Sequence, residues 1–386
     1  MRVPHPHDFT SRLRSPAVAA RVGVWLGVCF GTCFLTGLVS HWAQAPAPLL
    51  AFPTSPAWGY RLTQGLHVVT GCAAVPLLLV KLWAVYPRLF ERVDVRAGRR
   101  LVGVALERGS IAVLVAASVF QLATGLANAA QWYPWREFSF RTAHYALAWV
   151  AVGALLVHVA VKLPTIRAAL GSDVDDTALD RPGARRDSVL SRRALLRTTW
   201  AAAGVAVLAT AGGTVPWLRR VSVLAVRSGE GPGGVPINKT ASAADVLDTA
   251  TDPTWTLEVR VGDEVRARLT LADLRAMPQH TVDLPIACVE GWSAEGRWSG
   301  VRVSDVLAGA GAPGDRDVTV TSLQPSGPFR RTVLPRAFAD DPRSLLALDL
   351  AGEPLALDHG YPCRVIAPNR PGVLQTKWVS SLEVSA

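Results

Sequence analysis

A chain of 386 residues is too long for one ordinary domain and predicts two or three. Half of its residues are hydrophobic and 18% are charged, which excludes intrinsic disorder and a densely charged nucleic-acid binder. The formal charge of +10 is unevenly placed: residues 217–386 hold 18 Lys+Arg against 20 Asp+Glu, so the excess lies wholly with the apolar first part, where it reads as membrane topology.

Five apolar runs, 22–40, 65–86, 110–130, 142–161 and 200–216, are long enough to cross a bilayer as helices. Basic residues set their direction. Arg2, Arg12, Arg14 and Arg21 precede the first run, and Arg88, Arg92, Arg96, Arg99, Arg100 and Arg108 follow the second. Lys162, Arg167, Arg181, Arg185, Arg186, Arg192, Arg193 and Arg197 follow the fourth, whereas the other two loops hold only Arg61, Arg136 and Arg141. This asymmetry predicts a multi-pass protein of the cytoplasmic membrane, with the N-terminus inside and everything after Trp217 outside.

In the first run, Gly23, Gly27 and Gly31 have the spacing of a helix-packing groove, and Cys29 and Cys33 read as packing residues. Ionisable groups at membrane depth are functional candidates. His144 and His158 stand fourteen residues apart on the fourth run, a spacing that resembles di-haem cytochromes b. The matching positions on the second run are His67 and Lys81, so the pattern is incomplete. His67 and His144 begin inward-running helices and share a depth near the outer surface, where they could ligate one haem b; the alternative is polar packing. Lys81 reads as snorkelling toward a lipid headgroup or a quinone oxygen, and His41 is a weaker ligand candidate.

An Asp- and Arg-rich stretch, 171–187, leads to Ser191-Arg192-Arg193-Ala194-Leu195-Leu196-Arg197. This resembles a twin-arginine signal, which implies export of an already folded domain by the twin-arginine machinery. No A-x-A cleavage site follows, so the fifth helix is expected to remain as an anchor. Residues 229–234 read as a flexible spacer. Beyond it strands are expected at 255–261, 318–322 and 363–367, with short helices at 271–277 and 301–308. The class is α+β, mostly β.

Two segments here are specific. One is Ile286-Ala-Cys288-Val-Glu290-Gly-Trp292-Ser293 with Trp298-Ser-Gly300. The other is Asp358-His359-Gly360-Tyr361-Pro362-Cys363-Arg364, then Pro368-Asn-Arg370-Pro-Gly372 and Lys377-Trp378. Together they resemble the molybdopterin domain of the sulfite oxidase family, nearest the branch of the periplasmic methionine sulfoxide reductase catalytic subunit. The resemblance implies that Cys288 ligates molybdenum and is the catalytic position. It further implies that His359, Arg364, Arg370 and Lys377 hold the molybdopterin, with Asn238 as a further contact. Read by itself, Cys288 could be a structural thiol or pair with Cys363. The arginine-rich stretch of sulfite oxidases is replaced by one containing Glu290, which argues against sulfite; Arg330, Arg331 and Arg336 could rebuild an anionic pocket. The immunoglobulin-like dimerisation domain is absent, so a monomer is expected.

The sequence therefore predicts three parts: a four-helix, cytochrome b-like membrane domain, 1–170; a linker with the signal and fifth helix, 171–228; and an extracytoplasmic molybdopterin-binding oxidoreductase domain, 229–386. The expected activity moves an oxygen atom to or from a small-molecule substrate, sulfoxide reduction being favoured, with electrons exchanged through the membrane part with a quinone or redox protein. A sulfite-type dehydrogenase is one alternative. A cofactor-free membrane sensor or assembly protein that keeps the fold is another.

Overall fold

The structure is a computed structural model describing residues 8–90, 98–133, 139–185, 189–225, 231–312 and 314–385, with backbone alone at 89–90 and 98–105. The readings of Arg2, Arg92, Arg96, Arg136, Arg186, Asp187, Gly229 and Glu230, and of the side chains of Arg99 and Arg100, fall outside the described residues. The chain divides into two compact units. One contains the chain up to Gly37, Leu66–Gly212 and Leu218–Ala225; the other contains Leu38–Gly65, Gly213–Trp217 and Val226–Ala386.

The first unit is helical. Its long helices are α1 (Pro16–Ala43), α2 (Gly59–Val85), α3 (Gly98–Ala129), α4 (Phe140–Gly171) and α5 (Arg192–Thr210). All five are long and apolar enough to cross a membrane. Each expected apolar run begins on one of them, but the run 200–216 continues past the end of α5 at Thr210 into a 3-10 turn, Ala211–Gly213. At their other ends the helices outlast the runs because flanking Ala, Leu, Lys and Arg are themselves good helix formers; α4, for example, continues past Lys162 and Arg167 to Gly171. Leu35, Leu79, Leu156 and Leu208 lie exposed, an unusual outer face for a protein dissolved in water. Val18, Val22, Cys29, Ala74 and Leu77 form a buried cluster.

The expected glycine groove is not used for helix packing. A Cβ at Gly27 or Gly31 would meet nothing within 4 Å, while one at Gly23 would come 2.7 Å from the Lys81 ammonium. Lys81 donates to Ala19 O at 2.7 Å, so its head is held by the α1 backbone and does not snorkel. Cys29 and Cys33 are free thiols, Cys33 lying 3.1 Å from Thr70 Oγ1.

Ser191 caps α5, its hydroxyl accepting from Ala194 N at 3.1 Å. Arg192, the first residue of the pair, is 4% exposed. It donates to Arg12 O (3.0 Å), Val174 O (3.1 Å), Asp176 O (2.7 Å) and the Asp180 carboxylate. Arg193 is exposed and pairs with Asp173 and Asp175.

The second unit is built on two sheets. The first runs β2-β1-β10-β5-β6 and contains β1 (Thr256–Val261), β2 (Glu264–Thr270), β5 (Val318–Ser322), β6 (Arg331–Leu334) and β10 (Val379–Val384). The β1–β10 pair is parallel and the other pairs are antiparallel. The second runs β3-β4-β7-β8 with β9 also on β7: β3 (His280–Ala287), β4 (Ser293–Arg302), β7 (Leu345–Leu350), β8 (Glu353–Pro354) and β9 (Arg364–Ile366). Leu257, Val303, Leu334, Leu346 and Cys363 belong to one core, and Ile286, Cys288, Trp298, Leu345 and Ile366 to another.

The strand expected at 318–322 is β5, and those expected at 255–261 and 363–367 are β1 and β9. The helix expected from Val301 begins instead at Val303, because Val301 and Arg302 still pair with Leu346 and Leu345 on β7. Of the glycines expected to form a loose spacer, Gly231 and Gly233 are closely approached by other atoms, whereas Gly234 faces open space. Pro232–Gly234 is a 3-10 turn, and a Cβ at Gly231 would come 3.2 Å from His359 Nε2.

Segment Leu38–Gly65, which comprises the end of α1, the connection and the start of α2, belongs to this sheet unit. Pro46 O accepts from Val333 N at 2.8 Å. Arg343 Nη2 donates to Thr54 O (3.0 Å) and Ser55 Oγ (2.9 Å), and Arg61 pairs with Glu295. Asn369 donates to Pro53 O (2.7 Å) and accepts from Tyr60 N (2.5 Å).

Candidate functional site

Cys288 stands immediately after β3, at the start of the tight turn into β4. Its N–H donates to Trp292 O at 2.9 Å and its carbonyl accepts from Gly291 N at 3.1 Å. The turn carries an acid: Glu290 Oε2 lies 3.8 Å from Cys288 Sγ and accepts from Trp292 Nε1 at 3.0 Å. Gly372 must be glycine for this turn to pack, since a Cβ there would come 2.8 Å from Ala287 O. Cys288 is 1% exposed; burial, then the Glu290 charge, push its thiol up to about 12. A thiolate here needs a positive partner such as a metal ion. Cys363 is a free thiol in the other core, also raised to about 12 by burial, and the two cysteines form no disulfide.

The second motif supplies cations. Arg364, on β9, is 1% exposed and lies 5.0 Å over the Trp298 ring. It donates to His359 O and Gln375 O, each at 3.1 Å, while its Nε has no partner. Arg370 is 3% exposed; one bond goes to Val333 O at 2.7 Å, and its Nε and Nη1 have none. Lys377 donates to Asp358 O (2.7 Å) and Lys239 O (2.9 Å). His359 is 1% exposed, its ring lying against the backbone of Pro232 and Val235. Gly360 lets these groups converge, because a Cβ there would come 3.0 Å from Lys377 Cβ and 3.1 Å from Arg364 Cβ.

Burial lowers every one of these bases. Arg364 and Arg370 fall to about 9. Lys377 falls to about 7, through burial and then the Arg364 charge, and His359 to about 4 for the same two reasons. Among the described residues, no carboxylate forms a salt bridge with Arg364, Arg370 or Lys377. An unpaired buried cation costs several kcal/mol, so the cluster suits an anionic guest with further hydrogen-bond acceptors. A molybdopterin, with its phosphate and polar pterin, fits that donor set, and Cys288 offers the one soft ligand.

The structure brings His359, Arg364 and Lys377 together, with Lys377 acting electrostatically on Cys288, whereas Arg370 is tied to this group only through its carbonyl, which Gln375 bonds. Asn238 stays exposed, its side chain bonded to Lys239 N at 2.9 Å; its link to the cluster is Lys239 O, which accepts from Lys377. Arg331 and Arg336 are exposed and pair with Glu383 and Asp340, so they do not rebuild an anionic pocket. Sequence reasoning missed Gln375, whose amide bonds Ala367 N, Ala367 O and Arg370 O and so braces the strand bearing Arg364 against the loop bearing Arg370.

In the helical unit the rings of His67 and His144 lie with centroids 6.2 Å apart. Thr36 Oγ1 is 3.1 Å from His67 Nδ1, and Thr124 Oγ1 is 3.0 Å from His144 Nδ1. Each threonine gives its own proton to a carbonyl one turn back, Thr32 O at 2.6 Å and Phe120 O at 2.7 Å. Its oxygen therefore accepts from Nδ1–H, which leaves the lone pair of both rings on Nε2. Two metal bonds of about 2 Å with half a ring on each side add to about 6.3 Å between centroids, so the spacing suits one ion between the rings. Gly37 and Gly125 face the Cε1 atoms at 3.3 and 3.7 Å for a built Cβ. His158, on α4, shares its surroundings with Lys81 and Lys162 rather than a second imidazole.

Residues 243–386 match the family model for the oxidoreductase molybdopterin binding domain. The chain is 32% identical over 156 residues to the mitochondrial sulfite oxidase of Drosophila melanogaster, covering 34% of this chain and 27% of that protein. It is 33% identical over 116 residues to a protein of Azospira oryzae provisionally named protein-methionine-sulfoxide reductase subunit YedZ1, covering 30% of this chain and 43% of that one. With the uncharacterised oxidoreductase YuiH of Bacillus subtilis it shares 28% identity over 165 residues, 41% of this chain and 82% of YuiH. The chain spans 26–27% of the length of the animal sulfite oxidases it matches. Its C-terminal part is a sulfite oxidase-type molybdopterin-binding oxidoreductase domain.

Proposed function

We propose that the protein is a membrane-anchored molybdenum oxidoreductase whose catalytic domain works outside the cytoplasm and reduces a small sulfoxide. The observation that carries this reading is the pair of orphaned buried donor groups on Arg364 and Arg370 in the same domain as the buried Cys288. When bound, the molybdenum cofactor supplies the two-electron exchange of an oxygen atom; two electrons and two protons convert a sulfoxide to a sulfide and water. Cys288 is the metal ligand, Arg364, Arg370 and Lys377 hold the phosphate and pterin, and His359 hydrogen-bonds the cofactor. Asn238 is a peripheral contact through its neighbour Lys239.

Glu290 favours a neutral substrate. Its carboxylate lies beside the Cys288 sulfur, where a sulfite anion would meet like charge and a sulfoxide would not. The sulfite-type alternative rests on the sulfite oxidases among the relatives. Purified full-length protein separates the two: it should reduce methionine sulfoxide with a viologen donor and show no sulfite-dependent ferricyanide reduction. The reverse pattern would reassign the substrate.

We further propose one haem b on His67 and His144, passing electrons from a membrane quinone or redox protein. The matched threonine bonds and the ring spacing support it. A reduced-minus-oxidised spectrum should show a single b-type haem in the wild type and none in His144→Ala. Two haems per chain would contradict the pairing. Export would use the Arg192–Arg193 pair, with α5 kept as an anchor.

A further inference from the structure

α5 is the shortest of the five long helices at 19 residues, and Arg192, Arg193 and Arg197 occupy its first two turns. The uncharged remainder, 198–210, rises about 20 Å, against about 30 Å of hydrocarbon in a bilayer. The chain does not carry on outward from there. It passes through two 3-10 turns, Ala211–Gly213 and Pro216–Leu218, and comes back along the helix it has just left. Leu224 N donates to Ala209 O at 2.8 Å, and the fully buried Ser222 donates through its hydroxyl to Leu208 O at 2.5 Å. Gly212 permits this return, because a Cβ there would collide with the Ser222 side chain and come 2.9 Å from Arg219 Cα. Ser222 and Leu224 therefore lie level with the last turn of α5.

What this hairpin shows to its surroundings is apolar. Val221, Val223 and Leu224 are 56%, 75% and 70% exposed, and Val205 and Leu208 of α5 are exposed as well. A loop in water would place polar side chains there. The backbone is completed as lipid requires, with five consecutive amides bonded from within. Val221 N and Ser222 N donate to Leu218 O at 2.9 and 3.0 Å, Val223 N to Val221 O at 3.1 Å, Leu224 N to Ala209 O, and Ala225 N to Ser222 O at 3.3 Å. Irregular backbone survives in hydrocarbon only when its polar groups are satisfied in this way. Two charges stand beside the turn. Arg219 is half-buried and Arg220 exposed, and among the described residues neither pairs with a carboxylate.

We infer that Leu218–Ala225 is a re-entrant hairpin of the outer leaflet, with Val221, Val223 and Leu224 among the acyl chains and Arg219 and Arg220 on the phosphates of anionic phospholipids. It fills the depth that α5 leaves short. This rests on the membrane reading above, with α5 as an anchor.

Full-length protein in vesicles of phosphatidylcholine with phosphatidylglycerol tests it. A spin label is placed on Leu224→Cys and, for reference, on Asp263→Cys in the exposed turn between β1 and β2. Wild type carried through the same labelling supplies the background from the native thiols. Collisions with a water-soluble nickel chelate should be lost at 224 and kept at 263, while collisions with dissolved oxygen rise at 224. In phosphatidylcholine alone the label at 224 should shift toward the chelate, and Arg219→Gln/Arg220→Gln should show that shift in both lipids. Equal chelate access at 224 and 263, in protein that floats with the vesicles, would overturn the inference and leave the membrane reading standing. A depth at 224 indifferent to lipid charge in the wild type would overturn the role of the two arginines. Wild type that does not float with the vesicles would overturn the membrane reading as well.

Discussion

Both compact units bury cations, and they treat them in opposite ways. In the helical unit Arg192 gives its hydrogen bonds to three carbonyls and Asp180, Lys81 is held by Ala19 O, and Lys162 pairs with Glu107. In the sheet unit the cations Arg364 and Arg370 leave three nitrogens without partners. Polar groups completed from within the chain are part of its architecture. Groups of one charge left incomplete around a soft ligand mark a place built for something else.

The largest effect is expected where the guest is bound covalently. Cys288→Ser should abolish molybdenum-dependent turnover while the chain still accumulates in membranes, as read by immunoblot and reductase assay. Full turnover would remove Cys288 from the ligand set. The next tests set the two kinds of buried cation against each other. Arg192→Met leaves three carbonyls without their donor and Asp180 with Arg12 as its remaining partner, and should destabilise the chain by about 3 kcal/mol. Arg370→Met removes a cation with two orphaned nitrogens and one bond to Val333 O, and should stabilise the cofactor-free chain by about 1 kcal/mol while lowering bound molybdopterin at least tenfold. Denaturant unfolding and cofactor extraction measure both. Equal destabilisation by the two would erase the distinction.

A smaller effect appears in pH. The Lys377 pKa is about 7 when folded and 10.5 as the unfolded reference, so between these values the unfolded chain binds more protons. The cofactor-free protein should therefore gain stability as pH rises from about 7 toward 10, a trend that Lys377→Met removes. An anion beside the ammonium restores its ordinary pKa, so the holoenzyme should show little of it. Smaller again for the fold, but decisive for export, is Arg192→Lys with Arg193→Lys, which keeps both charges and should leave the C-terminal domain shielded from protease added outside. Asp180→Asn removes the buried partner while keeping the arginine pair and should leave export intact.

Much of this was legible in the sequence. The five apolar runs fold as long helices, as their length and composition imply, and the Cys288 and His359–Lys377 segments are local enough to read. Other parts were not. Nothing near Tyr60 marks it as more than the start of an apolar helix, since its partners Ala287 and Asn369 are remote in sequence. Gly23 looked like a helix-packing residue because its spacing with Gly27 and Gly31 is periodic, whereas only the fold shows that Lys81 fills the gap. Gly231 and Gly233 read as slack because the same composition serves a loose linker and a close approach, and only the positions of His359 and Leu350 separate the two.

The central claim is that the orphaned cations and Cys288 exist to hold a molybdenum cofactor. Metal analysis of full-length protein, purified in detergent from a host that makes the cofactor, tests it most directly. The account predicts about one molybdenum and one molybdopterin per chain in the wild type, with both lost in Arg364→Met/Arg370→Met. A wild type free of both, from cells whose other molybdenum enzymes are loaded, would contradict it.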